Sequence, residues 1–117
     1  MDKGTFPPVR VETLTGSRPD VSIVRVYGPL EITNFGEFEA AMRGNESGVL
    51  IVDLAEVPYI DSAVLGSMVA THVACARNQR KFALVNANQR IQNMLTVSGV
   101  GEIIVTFATL AAAEAAL

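Results

Sequence analysis

Val49-Leu50-Ile51-Val52-Asp53-Leu54-Ala55-Glu56-Val57-Pro58-Tyr59-Ile60-Asp61-Ser62-Ala63-Val64-Leu65-Gly66 reads as a buried strand handed over to a helix. Its first four residues form a continuous aliphatic, β-branched run bounded by Gly48 and Asp53. That is the pattern of a strand covered on both faces, and so of the middle of a sheet. Pro58 takes the chain out of the strand. Asp61-Ser62 then stands directly before an apolar-periodic run, the signature of a helix N-terminus. The backbone N–H groups of such a first turn make a seat for negative charge. A serine there can cap the helix, or it can hold its hydroxyl out for modification, and the residue types alone leave both readings open.

Upstream of this stretch, Val9 to Leu14 alternates apolar with polar side chains, as a half-buried strand does. Gly16-Ser17-Arg18-Pro19-Asp20 supplies turn chemistry. Val21 to Tyr27 alternates again, with Ile23 and either Val21 or Arg25 on one face and Val24 and Val26 on the other. A hairpin of these two strands is predicted. Gly28-Pro29 ends it. Thr33 or Asn34 is placed to cap a helix whose apolar positions are Phe35, Phe38, Ala41 and Met42, closed by Gly44-Asn45-Glu46-Ser47-Gly48.

Downstream, the helix after Ser62 is expected to carry Leu65, Met68, Val69, His72, Val73 and Ala76 on one stripe. It is expected to end among Arg77, Asn78, Gln79 and Arg80, where positive charge suits the dipole. Lys81 to Val85 returns as a strand, and Asn86 to Asn88 turns the chain. Ile91, Met94, Leu95 and Val97 mark a short helix stopped by Ser98-Gly99. Ile103 to Phe107 is the last strand, and Thr109 leads an alanine-rich helix to Leu117. The order β-β-α-β-α-β-α-β-α predicts an α/β domain: a single-layer mixed, mostly parallel sheet of about five strands with helices packed against it. Whether the alanine-rich tail packs on the sheet or pairs two copies as a homodimer is left open.

At 117 residues, half of them hydrophobic, the chain is one globular domain on the size prior. Its 12 acidic and 9 basic side chains include no basic run, so nothing in it suits a nucleic acid. The single cysteine, Cys75, excludes an internal disulfide and reads as a small core residue in a reducing, cytoplasmic setting. Residues 1–8 lack the apolar region of a secretory signal and are expected to be a flexible N-terminal segment ahead of a domain spanning 9–117. The longest apolar region, Ala63 to Ala76, falls short of the roughly 20 residues that cross a bilayer, so no membrane insertion is expected.

Three chemistries can be set aside from the residues present. His72 and Cys75 would need further ligands to hold a metal, and none is visibly assembled. Ser62 lies at a strand-to-helix elbow, but Ile60 and Val64 stand where the glycines of a nucleophile elbow would be, and the only histidine lies more than two turns down the same helix. Gly16 and Gly28 are too isolated to form a dinucleotide-binding turn. No cofactor is implied.

The quoted stretch resembles the STAS domain, specifically the small single-domain anti-sigma factor antagonists of bacteria. The match is an apolar strand, Asp53-Leu54, then an apolar segment ending in Asp61-Ser62 before a helix. Gly28-Pro29-Leu30-Glu31-Ile32-Thr33-Asn34 is similar to the family's turn into its first helix, and Ser98-Gly99-Val100 to the turn before its last strand. The resemblance covers Val9 to Leu117.

The resemblance implies a regulatory protein rather than an enzyme. Ser62 matches the serine that a partner anti-sigma factor, itself a serine kinase, phosphorylates; a PP2C-type phosphatase would reverse the step. Asp61 would orient the hydroxyl or cap the helix. The partner-binding surface would comprise Glu31, Asp61, Ser62, Ala63, Val64 and Leu65. The same resemblance allows an interaction module without a phosphoryl switch, in a signalling scaffold or as a transporter's regulatory subunit. The sequence departs from the family pattern at Ala63 and Val64, at Glu31 in place of aspartate, and at Gln79-Arg80 in place of a glycine pair, which leaves Asn78 to supply any left-handed cap.

Overall fold

A computed structural model describes residues 9–117; the expected flexible segment 1–8 lies outside the described residues. Five strands, β1 (Arg10–Thr15), β2 (Val21–Tyr27), β3 (Val49–Glu56), β4 (Lys81–Val85) and β5 (Val105–Phe107), form one sheet in the order β1-β2-β3-β4-β5. The first pair is antiparallel and every later pair parallel. The helices are α1 (Gly36–Arg43), α2 (Ser62–Arg77), α3 (Gln89–Ser98) and α4 (Leu110–Ala116), with a 3-10 turn at Val100–Glu102. The predicted α/β architecture, its hairpin and its central strand are all present.

Strand alternation divides the core between the two faces of the sheet. Val24, Val26, Leu50, Val52, Leu54, Phe82 and Leu84 pack with Phe38 and Met42 of α1, Val64, Leu65, Met68 and Cys75 of α2, and Ile91 and Leu95 of α3. Each such large side chain contributes about 1.5–3 kcal/mol by leaving water. Val21, Ile23, Val49, Ile51 and Val85 face the other way and meet Ala113 of α4. The alanine-rich helix therefore packs on the sheet, and Ala113 is small enough to let it approach.

β3 runs past the predicted four residues to Glu56, with a register shift against β2: Arg25 pairs Asp53, but Tyr27 pairs Glu56. One extra residue of β3 is bulged out, and the Asp53 carboxylate accepts the Ala55 N–H at 3.0 Å across it. A single parallel bridge between Leu30 and Ile60 continues the β2–β3 pairing beyond the bulge. It draws the loops after those two strands together.

Several local expectations are corrected. Phe35, not Thr33 or Asn34, precedes the first turn of α1, and no side chain caps it. The Asn34 amide instead spans the loop, accepting from Glu31 N–H and donating to the Pro29 carbonyl. The buried face of α2 is Val64, Leu65, Ser67, Met68 and Cys75, while Val73 is 40% exposed and Ala76 lies at the surface. Val97 is 88% exposed rather than apolar packing for α3. After α2 it is Gln79, with φ 54°, that turns left-handed; Asn78, with φ −111°, does not. Ile103 and Ile104 precede β5 instead of opening it. Gly99 ends α3 at φ 81°, as expected of a glycine there.

Candidate functional site

The loops after β2, β3 and β4 emerge at the same end of the sheet because those strands are parallel. They carry Glu31, Asp61 and Asn88 respectively. Asp61 is the N-cap of α2: its extended backbone (φ −108°, ψ −179°) ends the loop, and its Oδ1 accepts the Val64 N–H at 3.1 Å. Its Oδ2 accepts the Ile32 N–H at 2.8 Å from the loop after β2. One carboxylate thus fixes the helix start and ties two loops together.

Ser62 is the first residue of α2 and is exposed. Its hydroxyl makes no hydrogen bond to another described residue. The two readings of the Asp61-Ser62 pair therefore separate: the aspartate caps, and the serine is left with its hydroxyl in water at the positive end of a 16-residue helix. Asp61 is engaged with backbone N–H groups and does not orient the hydroxyl.

Glu31 reaches the same neighbourhood, accepting the Tyr59 phenol at 3.0 Å. That hydrogen bond, with burial and the carboxylate's charge adding to it, raises the phenol's pKa, while the Arg90 guanidinium opposes the shift. Arg90 stacks 4.9 Å from the Tyr59 ring centroid. Asn88 caps α3 through Ile91 N–H at 2.8 Å and donates to the Pro58 carbonyl at 3.0 Å, steadying the segment before Asp61. From sequence, Tyr59 and Arg90 have no role at the site, and Asn88 is only part of the turn after β4. Their only signal was position, beside Pro58 and at the start of the third helix.

Of the six expected partner-facing residues, Glu31, Asp61, Ser62 and Ala63 are at least partly accessible. Val64 is fully buried and Leu65 is 6% exposed, which corrects their assignment: both side chains belong to the core beneath the site. The first helical turn puts them on the sheet side, and only residues 62 and 63 face outward.

Ten residues of helix separate Ser62 from His72, about 15 Å along the axis, so the imidazole cannot serve as its base. Among the described residues no three His, Cys, Asp or Glu side chains gather as a metal site, and no helix is long and apolar enough to cross a membrane. The strand order runs without reversal, so the sheet offers no switch-point crevice for a small ligand. The site is an accessible polar surface around one exposed hydroxyl, suited to contact with another protein.

Residues 14–113 match the family model described as STAS domain. The chain is 29% identical over 98 residues to the anti-sigma-B factor antagonist of Staphylococcus epidermidis, covering 81% of this chain and 89% of that protein. An anti-sigma factor antagonist from Mycobacterium paratuberculosis superposes with a TM-score of 0.79 at 22% identity, over 92% of this chain and 93% of the other. The Bacillus cell fate determinant SpoIIAA in its phosphorylated form superposes at 0.66 and 14% identity, over 94% and 100%.

Proposed function

The chain belongs to the STAS domain family, and from that membership we propose that it is a cytoplasmic anti-sigma factor antagonist, switched by phosphorylation of Ser62. Unphosphorylated, it captures an anti-sigma factor serine kinase and so frees the sigma factor. Phosphorylated, it releases the kinase, and a PP2C-type phosphatase resets it. The protein is the substrate of this chemistry and not its catalyst, since magnesium, nucleotide and base come from the kinase.

The observation that supports this reading best is the division of labour at the helix start. Asp61 does the capping, while the neighbouring hydroxyl is exposed and unengaged. A phosphate on Ser62 adds about −1.5 to −2 charges where the helix dipole and backbone N–H groups favour an anion. The fold tolerates it. At a protein interface the same dianion, set beside the Asp61 and Glu31 carboxylates, must be desolvated or matched by cations, and each 1.4 kcal/mol of unmatched cost lowers affinity about tenfold. Binding is lost while the domain stays folded.

The test is incubation of purified protein with anti-sigma factor kinases of the same organism and Mg-ATP, followed by intact mass and peptide mapping. One phosphate on Ser62 is expected, together with loss of kinase binding in a folded Ser62→Glu variant. An intact mass that never shifts, or equal kinase affinity for wild type and Ser62→Glu, rejects the reading.

A further inference from the structure

We propose that Ile32 is the apolar anchor by which the kinase docks on this surface, and that Asp61 is the positioning residue that holds it in register with Ser62; this rests on the reading of Ser62 given above. Ile32 is 67% exposed. A solitary exposed aliphatic is ordinary on a protein surface and would carry nothing by itself. What distinguishes Ile32 is how firmly its backbone is fixed. Its N–H is held by Asp61 Oδ2 at 2.8 Å. The preceding Glu31 N–H is held by Asn34 Oδ1 at 2.8 Å, and Asn34 Nδ2 reaches back to the Pro29 carbonyl at 3.0 Å. Leu30 is fully buried, bridged to Ile60, and its N–H donates to the Tyr59 carbonyl at 3.2 Å.

A stiff β-branched side chain is therefore presented to water on a short loop that is pinned through hydrogen bonds to the residue next to Ser62. Among the described residues it belongs to neither core cluster. The arrangement lowers the ordering cost that a binding residue otherwise incurs on association. The loop is polar as well: Glu31, next to Ile32 in the chain, accepts the Tyr59 phenol, and the Arg90 guanidinium lies over the Tyr59 ring. The occupant this fits is the kinase that must reach Ser62. It would carry a shallow apolar pocket beside the mouth of its nucleotide site, so that seating Ile32 brings the hydroxyl of Ser62 toward the γ-phosphate. The same geometry accounts for loss of binding after modification, since Ile32 and a phosphate on Ser62 are presented by one rigid unit and cannot be accommodated separately.

The experiment compares wild type, Ile32→Ala, Ile32→Val and Val97→Ala, a still more exposed aliphatic on α3, for kinase affinity and for phosphorylation kinetics with Mg-ATP. Thermal melts check that all four are folded. Ile32→Ala is expected to weaken binding about tenfold or more and to raise KM by a similar factor with kcat little changed, the signature of lost docking rather than lost chemistry. Ile32→Val should recover most of the loss, and Val97→Ala should match wild type. If wild type is bound and phosphorylated but Ile32→Ala behaves within about twofold of it, the anchor is wrong and the function stands. A wild type that no kinase binds or phosphorylates overturns the function, and the anchor with it.

Discussion

The Asp61 carboxylate accepts the Val64 backbone N–H at 3.1 Å, and in doing so relieves the intervening Ser62 of any structural duty. Capping carboxylates of this kind are worth about 0.5–2 kcal/mol, and Asp61 holds the Ile32 N–H as well. Asp61→Ala is therefore expected to lower stability by about 1–2 kcal/mol. Ser62→Ala should stay within about 0.5 kcal/mol of wild type. Equilibrium denaturation in urea measures both. Equal losses in the two variants would return Ser62 to the role of a cap.

Asp53 is buried at the bulge of β3, accepting Arg25 Nε at 2.9 Å, Asn86 Nδ2 at 3.0 Å and Ala55 N–H at 3.0 Å. Burial alone would raise its pKa, but these hydrogen bonds and the Arg25 charge together outweigh burial and hold it below the ordinary carboxyl value of 3.8. A depressed carboxylate contributes stability that is complete above the unfolded-state pKa and is lost as pH falls through the folded one. Asp53→Asn should thus be less stable than wild type by about 1–3 kcal/mol at pH 7. The gap should close as pH falls below about 4. A gap that stays constant down to acid unfolding would show that the ionised form contributes nothing.

Most of the fold can be read from the sequence because strand alternation and helical period are local. β2 and β4 begin and end where their side chains predict. What escapes is decided by contacts far apart in the chain. The period of α2 gives its spacing but not its phase; the sheet sets the phase, burying Val64 and Cys75 and leaving Val73 outside. Asn34 has the chemistry of a cap, but its amide is committed to the loop carrying Glu31. β3 runs long because Asp53 holds a bulge that no pattern announces. At the site, Ser62 and Asp61 are legible from the strand-to-helix signature. Tyr59, Arg90 and Ile32 become visible only once three loops meet.

The burial of Val64 leads to a further expectation. As a fully enclosed side chain in the core cluster beneath the site, it should respond to truncation as core does. Val64→Ala is expected to cost about 2–3 kcal/mol, from lost transfer energy and the cavity left behind. Ala63→Ser, at the accessible neighbouring position, should fall within about 0.5 kcal/mol of wild type. Thermal unfolding of the pair distinguishes core from surface; a neutral Val64→Ala would place that side chain outside the core.

Among the described residues two non-glycines adopt left-handed backbone, Gln79 at φ 54° and Asn86 at φ 61°, and glycine should act on them with opposite sign. Gln79 lies just past the end of α2, is exposed, and has only its backbone N–H engaged, with the Ala76 carbonyl. Glycine there removes the steric cost of a left-handed side chain, offset in part by the greater freedom of the unfolded chain, for a net gain of about 0.5 kcal/mol. At Asn86 the same relief is smaller, because asparagine tolerates this conformation, and its Nδ2 is one of the donors that keep Asp53 ionised inside the protein. Removing a hydrogen bond to a buried charge costs about 1.5–3 kcal/mol. Gln79→Gly should therefore raise the midpoint of denaturation and Asn86→Gly should lower it, with the Asn86→Gly loss shrinking in an Asp53→Asn background because the charge it serves is gone. Equal Asn86→Gly losses in the two backgrounds would mean that Asn86 supports the turn and not the carboxylate.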